Sequence, residues 1–156
     1  MKVKFVADEK YRPQYANDTD ACMDLRARIT KDSDLHLRTS IPLKAVIMPG
    51  ETAKVPSGVQ AAVPEGYVMK MYVRSSTGIK KNLVLANGTG IIDAGYRDEI
   101  IMALHNIGKE PVEIFDGDRV CQFIILPYPK IEPEFVEDNE DFRQGDRGGG
   151  IGSTGV

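Results

Sequence analysis

The sequence predicts an all-β protein, a barrel or double-sheet jelly roll, on three observations. Short runs with apolar residues at alternate positions recur along the chain. Gly and Pro turns punctuate them at near-regular spacing. No segment sustains an apolar period of 3.6 residues, so no long amphipathic helix is expected. Many short strands with such turns are the mark of barrels and jelly rolls. At 156 residues the chain is long enough for one domain. With 42% hydrophobic and 28% charged residues it reads as globular, not disordered.

Residues 2–6 alternate, with Val3 and Phe5 on one face and Lys2 and Lys4 on the other. After a polar loop, Met23, Leu25, Ala27 and Ile29 alternate with Asp24, Arg26 and Arg28, a strand that puts Asp24 on the polar face. Residues 30–44 read as a loop carrying Leu35-His36-Leu37. Val46-Ile47-Met48 ends at Pro49-Gly50; Thr52–Val55 and Gly58–Val63 follow, split by Pro56-Ser57. Pro64-Glu65-Gly66 turns into a strand over Tyr67–Val73, with a short helical turn after Arg74-Ser75-Ser76. Leu83–Ala86 and Glu99–Leu104 flank a glycine-rich stretch and read as a β-hairpin around it. Val112–Phe115, the turn Asp116-Gly117-Asp118 and Arg119–Leu126 come next, closed by Pro127 and Pro129. Ile131–Val136 is expected to form an edge strand, because its Pro133 is unwelcome in a sheet centre.

Residues 138–156 differ in character. An acidic segment leads to a tail in which six of the last twelve residues are Gly. Such a tail cannot bury a core of its own. The expected organisation is a β domain over 1–137 and a flexible Gly-rich C-terminal arm over 138–156. Arg, Ser and Thr among glycines also suit a mobile phosphate clamp.

Composition narrows the function. A formal charge of −3 implies no broad basic face, which argues against a nucleic-acid polymer as partner but leaves a small polyphosphate open. No apolar run is long enough for a signal peptide or a membrane span, and a cytoplasmic location is expected. Cys22 and Cys121 form no CxxC and read as two buried thiols in a reducing compartment. His36 and His105 have no neighbours at metal-ligand spacing, so a zinc site is not expected. His105 reads as a structural histidine inside a strand.

The chemistry gathers in four places. In Gly88-Thr89-Gly90-Ile91-Ile92-Asp93-Ala94-Gly95-Tyr96-Arg97, glycines let backbone groups face a ligand, with Asp93 held beside them on stiff Ile91-Ile92. Arg74-Ser75-Ser76-Thr77-Gly78 ends a strand with a guanidinium fork, three hydroxyls and a turn of exposed N–H groups, which suits phosphate oxygens or equally a capped surface turn. Gln122 shares a strand face with Val120 and Ile124, so an amide interrupts a buried row and needs partners. Asp24 and Asp93 are the candidate carboxylates. A triphosphate carries its own Mg²⁺, which needs few protein ligands, and the other Asp could orient or deprotonate a water.

Five stretches, in order, resemble the homotrimeric dUTPase (dUTP diphosphatase) family. They are Asp20-Ala21-Cys22-Met23-Asp24-Leu25-Arg26-Ala27, Arg74-Ser75-Ser76-Thr77-Gly78, Asn87 through Glu99, Gly117-Asp118-Arg119-Val120-Cys121-Gln122, and Arg147 through Gly155. Together they span residues 20 to 155. The resemblance implies a distorted jelly-roll (β-clip) subunit in a homotrimer, with each site built from three chains and closed by the arm of one. It implies Mg²⁺-assisted hydrolysis of dUTP to dUMP and pyrophosphate by water attacking the α-phosphorus. That reaction limits uracil in DNA and supplies dUMP for dTMP synthesis.

Carried over by position, Asp93 is the catalytic carboxylate that holds the water and touches the sugar. Tyr96 packs under deoxyribose and leaves no room for a 2′-hydroxyl. Asn87 and the hairpin backbone, including Gly90 and Ile92, read the uracil edge. Arg74, Ser75, Ser76, Gln122, Arg147, Ser153 and Thr154 hold phosphates, and Asp24 reaches Mg²⁺ through water. Three positions depart from the family pattern: Ile151 stands where an aromatic usually stacks on uracil, Cys22 where Gly is common, and Asp98 where Gly usually follows the Tyr-Arg pair. Two rivals stay open. A dCTP deaminase shares the fold, but those enzymes carry a Glu where this chain has Ala103 and commonly Trp where it has Tyr96. A non-catalytic nucleotide-binding or regulatory protein would keep the site without the turnover, and the loop at 30–44 could serve a protein partner.

Overall fold

A computed structural model of the chain describes residues 1–30 and 43–146. The expected Leu35-His36-Leu37 loop and the arm residues from Arg147 onward lie outside them. Among the described residues there are twelve strands: β1 (Lys4–Val6), β2 (Gln14–Tyr15), β3 (Met23–Arg26), β4 (Lys44–Ile47), β5 (Thr52–Pro56), β6 (Gln60–Ala62), β7 (Tyr67–Val73), β8 (Leu83–Leu85), β9 (Gly90–Ile92), β10 (Ile101–Asn106), β11 (Val112–Phe115) and β12 (Arg119–Pro127). Every ladder is antiparallel. The largest sheet runs β2-β3-β12-β7-β9; a second runs β5-β10-β8, and β1-β6 and β4-β11 form two ribbons. The short helical turn expected after Arg74 is present as a π turn over Ser76–Lys80. No helix among the described residues is long and apolar enough to cross a membrane.

One continuous core joins all four sheets. Leu25, Ile47, Val55, Ala61, Met69, Leu83, Met102, Ile114 and Phe123 meet in it, one from each of nine strands. Sheets that share a core on one face, with polar residues on the other, make the jelly-roll-like layering that the alternation predicted. His105 sits on β10 as expected of a structural histidine, its Nδ1 2.9 Å from Thr52 Oγ1. Cys121 is buried, and burial pushes its thiol up to about 12; Cys22 is only half-buried, and burial followed by the Asp20 and Asp24 charges pushes its thiol up.

Three expectations are corrected. Ile131–Val136 forms no strand; those residues are exposed, and with Pro129 and Pro133 removing ladder donors the segment has no partner edge. The strand expected to run to Ile29 stops at Arg26, because Ala27 N–H bonds Asp118 O and Arg28 N–H bonds Pro56 O instead of one partner strand. Gln122 does not interrupt a buried row. A register shift between Arg119 and Cys121 buries Val120 and Cys121 together, and leaves Gln122 half-buried opposite Asp24 on one side and Tyr72 on the other.

Candidate active site

The glycine-rich stretch is more than a hairpin mouth. β8 and β10 do pair, Leu85 with Leu104, as the two flanks of a hairpin should. The chain between them leaves that sheet and adds β9 to the edge of the five-stranded one, pairing Gly90 with Met71 and Ile92 with Met69. Local sequence explains the crossing. Gly88 N–H bonds Leu85 O and Thr89 N–H bonds Asn87 O, turning the chain sharply after β8. A Cβ on Gly90 would sit 2.7 Å from Met71 Cε and 3.1 Å from Met71 Cβ, so only glycine lets the strand lie this close without moving Met71.

Between the two sheets opens a cleft of about 200 Å³, walled by Met71, Asn87, Gly90, Ile92, Tyr96 and Ile101. Four of the residues expected to handle base and sugar (Asn87, Gly90, Ile92 and Tyr96) are thus brought together. Asp93 adjoins the cleft on the turn Asp93–Tyr96, closed by Tyr96 N–H on Asp93 O at 3.1 Å. Its carboxylate is exposed and has no hydrogen-bond or ionic partner among the described residues. Tyr96 Oη donates to Glu99 O at 2.8 Å. Burial, and then the charges of Asp98 and Glu99, push its phenol up, so it stays a donor at neutral pH.

A second cluster lies on the polar face of the five-stranded sheet. Asp24 on β3 is paired twice: Arg74 Nε lies 2.8 Å from Oδ1 and Arg119 Nη1 donates to Oδ2 at 3.1 Å. Its side chain is 7% exposed, those of Arg74 and Arg119 25% and 42%. The alternation rightly put Asp24 on the polar face, but its expected availability to solvent is corrected: two guanidinium groups cover it. Gln122 lies opposite Asp24 on the neighbouring strand. Ser75 and Ser76 follow Arg74 and are exposed, and no side-chain cap bond engages Ser75. Arg147, Ile151, Ser153 and Thr154 lie outside the described residues. Sequence reasoning missed Arg119, although it stands in the fourth quoted stretch; a basic residue directly after the Asp116–Asp118 turn was the available signal. It also missed the ion pair of Arg28 with Glu99, which joins positions 71 residues apart.

These clusters are separate within one chain. Ile92, the residue before Asp93, pairs with Met69, five residues short of Arg74. At a rise of about 3.3 Å per residue, that is roughly 16 Å along the strand. Arg74 and Asp93 thus lie toward opposite ends of β7. The donor set for a metal is equally sparse. Among the described residues no three acidic, His or Cys side chains gather as a cage. Asp24 fits only a Mg²⁺ that arrives with its own phosphate ligands and keeps its waters.

Comparison with known proteins gives this arrangement its context. The family model described as dUTPase matches residues 12–155. A deoxyuridine 5'-triphosphate nucleotidohydrolase of Desulfitobacterium hafniense is 36% identical over 159 residues, covering 100% of this chain and 96% of the relative. A dUTPase variant of Staphylococcus bacteriophage 80alpha, solved with dUpNHpp, superposes with a TM-score of 0.78 at 25% identity, covering 99% of each chain. A dUTPase variant from phage phi11 of S. aureus, whose structure details the coordination of a structural Mg(II) ion, shares the fold at a TM-score of 0.72 and 24% identity, over 90% of this chain and 99% of that one. With the family model spanning nearly the whole chain and the bacterial relative matching end to end, this protein belongs to the dUTPase family.

Proposed function

We propose that this protein hydrolyses dUTP to dUMP and pyrophosphate, and that its active site assembles between copies of the chain. The observation that carries the reading is the cleft of Asn87, Gly90, Ile92 and Tyr96, with Asp93 at its edge and without a side-chain partner among the described residues. Asn87 and the backbone of 88–92 pair with the uracil edge. Buried polar groups matched to uracil are left unpaired against cytosine, a form of discrimination that can reach roughly 10⁴ to 10⁵. Tyr96 packs under deoxyribose. Asp93 accepts a proton from the water that attacks the α-phosphorus, and pyrophosphate leaves from the opposite side.

The phosphates are held by Arg74, Ser75, Ser76 and Gln122 of a neighbouring copy. The roughly 16 Å of β7 backbone between Met69, beside Ile92, and Arg74 supports this division. We assign a homotrimer with three shared sites, residues 1–137 as its β domain and 138–156 as the arm. The arm adds Arg147, Ser153 and Thr154 to the phosphates, and Ile151, standing where the family pattern usually has an aromatic, covers the base by burial. Asp24 would hold, through water, a Mg²⁺ brought by the triphosphate, which would neutralise phosphate charge. The reaction belongs in the cytoplasm, where Cys22 and Cys121 stay reduced, and there it limits uracil in DNA and supplies dUMP for dTMP synthesis.

The test is pyrophosphate release from a panel of deoxynucleoside triphosphates and UTP, with Mg²⁺. Release from dUTP alone is expected. Ammonia from dCTP would replace this reading with a deaminase, and no product from any nucleotide would replace it with a binding protein. Deleting residues 145–156 is expected to abolish turnover while sedimentation still reports a trimer; full activity in the truncated protein would remove the arm from the mechanism.

A further inference from the structure

We propose that Glu99 is a positioning residue that sets how firmly the site rejects ribonucleotides, through its hold on Tyr96. The inference rests on the reading of Tyr96 as the residue under the sugar. A sugar sensor works only if its ring cannot retreat. Closing a pocket against one extra hydroxyl depends on a few tenths of an ångström, and a ring free to shift admits it.

Tyr96 is fixed at both ends. Its N–H bonds Asp93 O at 3.1 Å, and its hydroxyl donates to the main-chain oxygen of Glu99 at 2.8 Å. Glu99 is in turn held from below. Arg28 Nε donates to Oε1 at 3.0 Å and Arg28 Nη2 to Oε2 at 2.5 Å, a bidentate fork. The Gly58 N–H donates to the same Oε1 at 2.5 Å. Backbone bonds continue the attachment on either side of Gly58: Ile100 N–H to Val59 O at 2.8 Å and Ser57 N–H to Ile100 O at 3.1 Å. Gly58 has φ +70°, and a Cβ there would lie 3.0 Å from Arg28 Cδ and from the Tyr11 ring. The 56–59 corner is thus built for close approach to Arg28 and to the Glu99 carboxylate. None of Arg28, Gly58 and the Glu99 carboxylate lines the base-and-sugar cleft. They reach it through the backbone of residues 99 and 100, Ile100 itself lining the cleft, and through the Tyr96 hydroxyl.

The experiment compares kcat/KM for dUTP with that for UTP in the full-length protein and in Tyr96→Ala, Tyr96→Phe, Glu99→Gln, Arg28→Lys and the double variant Tyr96→Phe/Glu99→Gln. Glu99→Gln keeps an acceptor for Gly58 N–H but loses the charged fork, so it removes the hold with the least risk to folding. A thermal melt confirms that each variant is folded. Glu99→Gln is expected to lower the dUTP-to-UTP ratio about ten-fold, chiefly by raising kcat/KM for UTP, with kcat for dUTP within about threefold of the parent. Arg28→Lys should move the ratio the same way. The double variant should lose no more discrimination than Tyr96→Phe alone, as residues acting in series do. If Glu99→Gln and Arg28→Lys keep the parental ratio while Tyr96→Ala loses it, the proposal is wrong and the reading of Tyr96 stands. Equal falls for dUTP and UTP in the Glu99 and Arg28 variants would also overturn it, by showing a merely structural role. If Tyr96→Ala itself still rejects UTP, the reading of Tyr96 fails and takes the proposal with it.

Discussion

Asp24 and Asp93 are carboxylates on the same sheet system with opposite environments. Asp24 is 6% exposed and gives one oxygen to the guanidinium of Arg74, just past β7, and the other to that of Arg119 on β12. Asp93 stands exposed on a glycine turn with no partner among the described residues. The difference separates two jobs that an ionised group can do. A paired, desolvated carboxylate holds its neighbours in place, and removing it strands their charges. An unpaired one costs the fold nothing to change, and is free to take a proton or orient a water. Under the proposed function, the Asp24 cluster supplies phosphate-binding groups pre-arranged by their own counterion, and the Asp93 turn is the part left open for chemistry.

Substituting each carboxylate by its amide is the strongest way to break this comparison. Asp93→Asn should lower kcat by about 10³, within the range typical for losing a general base, while leaving nucleotide affinity and the melting temperature near the parent values. Steady-state rates with a calorimetric titration of a non-hydrolysable dUTP analogue check it; unchanged turnover would take Asp93 out of the mechanism. Asp24→Asn should do the reverse in stability. It leaves Arg74 and Arg119 without a counterion. Both are partly exposed, so the cost should be about 2 kcal/mol, below the roughly 3–5 kcal/mol for one half of a fully buried pair. For a chain of this length that is a fall of several degrees in Tm. Equal melting temperatures in the two variants would erase the distinction.

The same comparison shows what was readable in the sequence. The Asp93 region is local: Asn87 to Tyr96 lie within ten residues, and their glycines and flanking apolar runs announce a turn between strands. Asn87, Gly90, Ile92 and Tyr96 could therefore be named in advance, whereas Met71 and Ile101, which reach the cleft from β7 and β10, were not. The Asp24 cluster is long-range. Alternation placed Asp24 on the polar face, but nothing near it in sequence says that Arg74 and Arg119 will arrive from β7 and β12 to bury it. The same blindness let Ile131–Val136 pass as a strand, because an alternating pattern does not carry its own partner edge. It also hid the bulge before Cys121, a one-residue shift of register that turns Gln122 away from the core. Within-segment chemistry was visible; between-segment pairing required the fold.

A third carboxylate sharpens the contrast, with the smallest expected effect. Asp116 is paired like Asp24 but bonds neither it nor the cleft. Its Oδ1 accepts Tyr11 Oη at 2.9 Å and Ile29 N–H at 2.8 Å, and Lys10 Nζ bonds its Oδ2. Burial pushes its carboxyl up, but the bonds from Lys10, Ile29 and Tyr11 outweigh that and hold it below the usual 3.8. A group with a depressed folded pKa adds stability above its unfolded value and loses it as pH falls through the folded one. Tyr11 works in the opposite sense. Burial, then its bond to Asp116, pushes the phenol from 10.0 up to about 12, so its share is present below pH 10 and lost between 10 and 12. Asp116→Asn should therefore melt a few degrees below the parent at pH 7 with kcat unchanged. The gap should begin to narrow as pH falls below about 4, the range of the unfolded carboxyl, and close as pH passes below the depressed folded value. A gap that does not narrow at all between pH 4 and pH 2 would mean that Asp116 contributes packing rather than charge. Melting curves of the parent and the variant from pH 2 to 8 measure it, and they isolate what a paired carboxylate is worth to this fold when it has no part in the reaction.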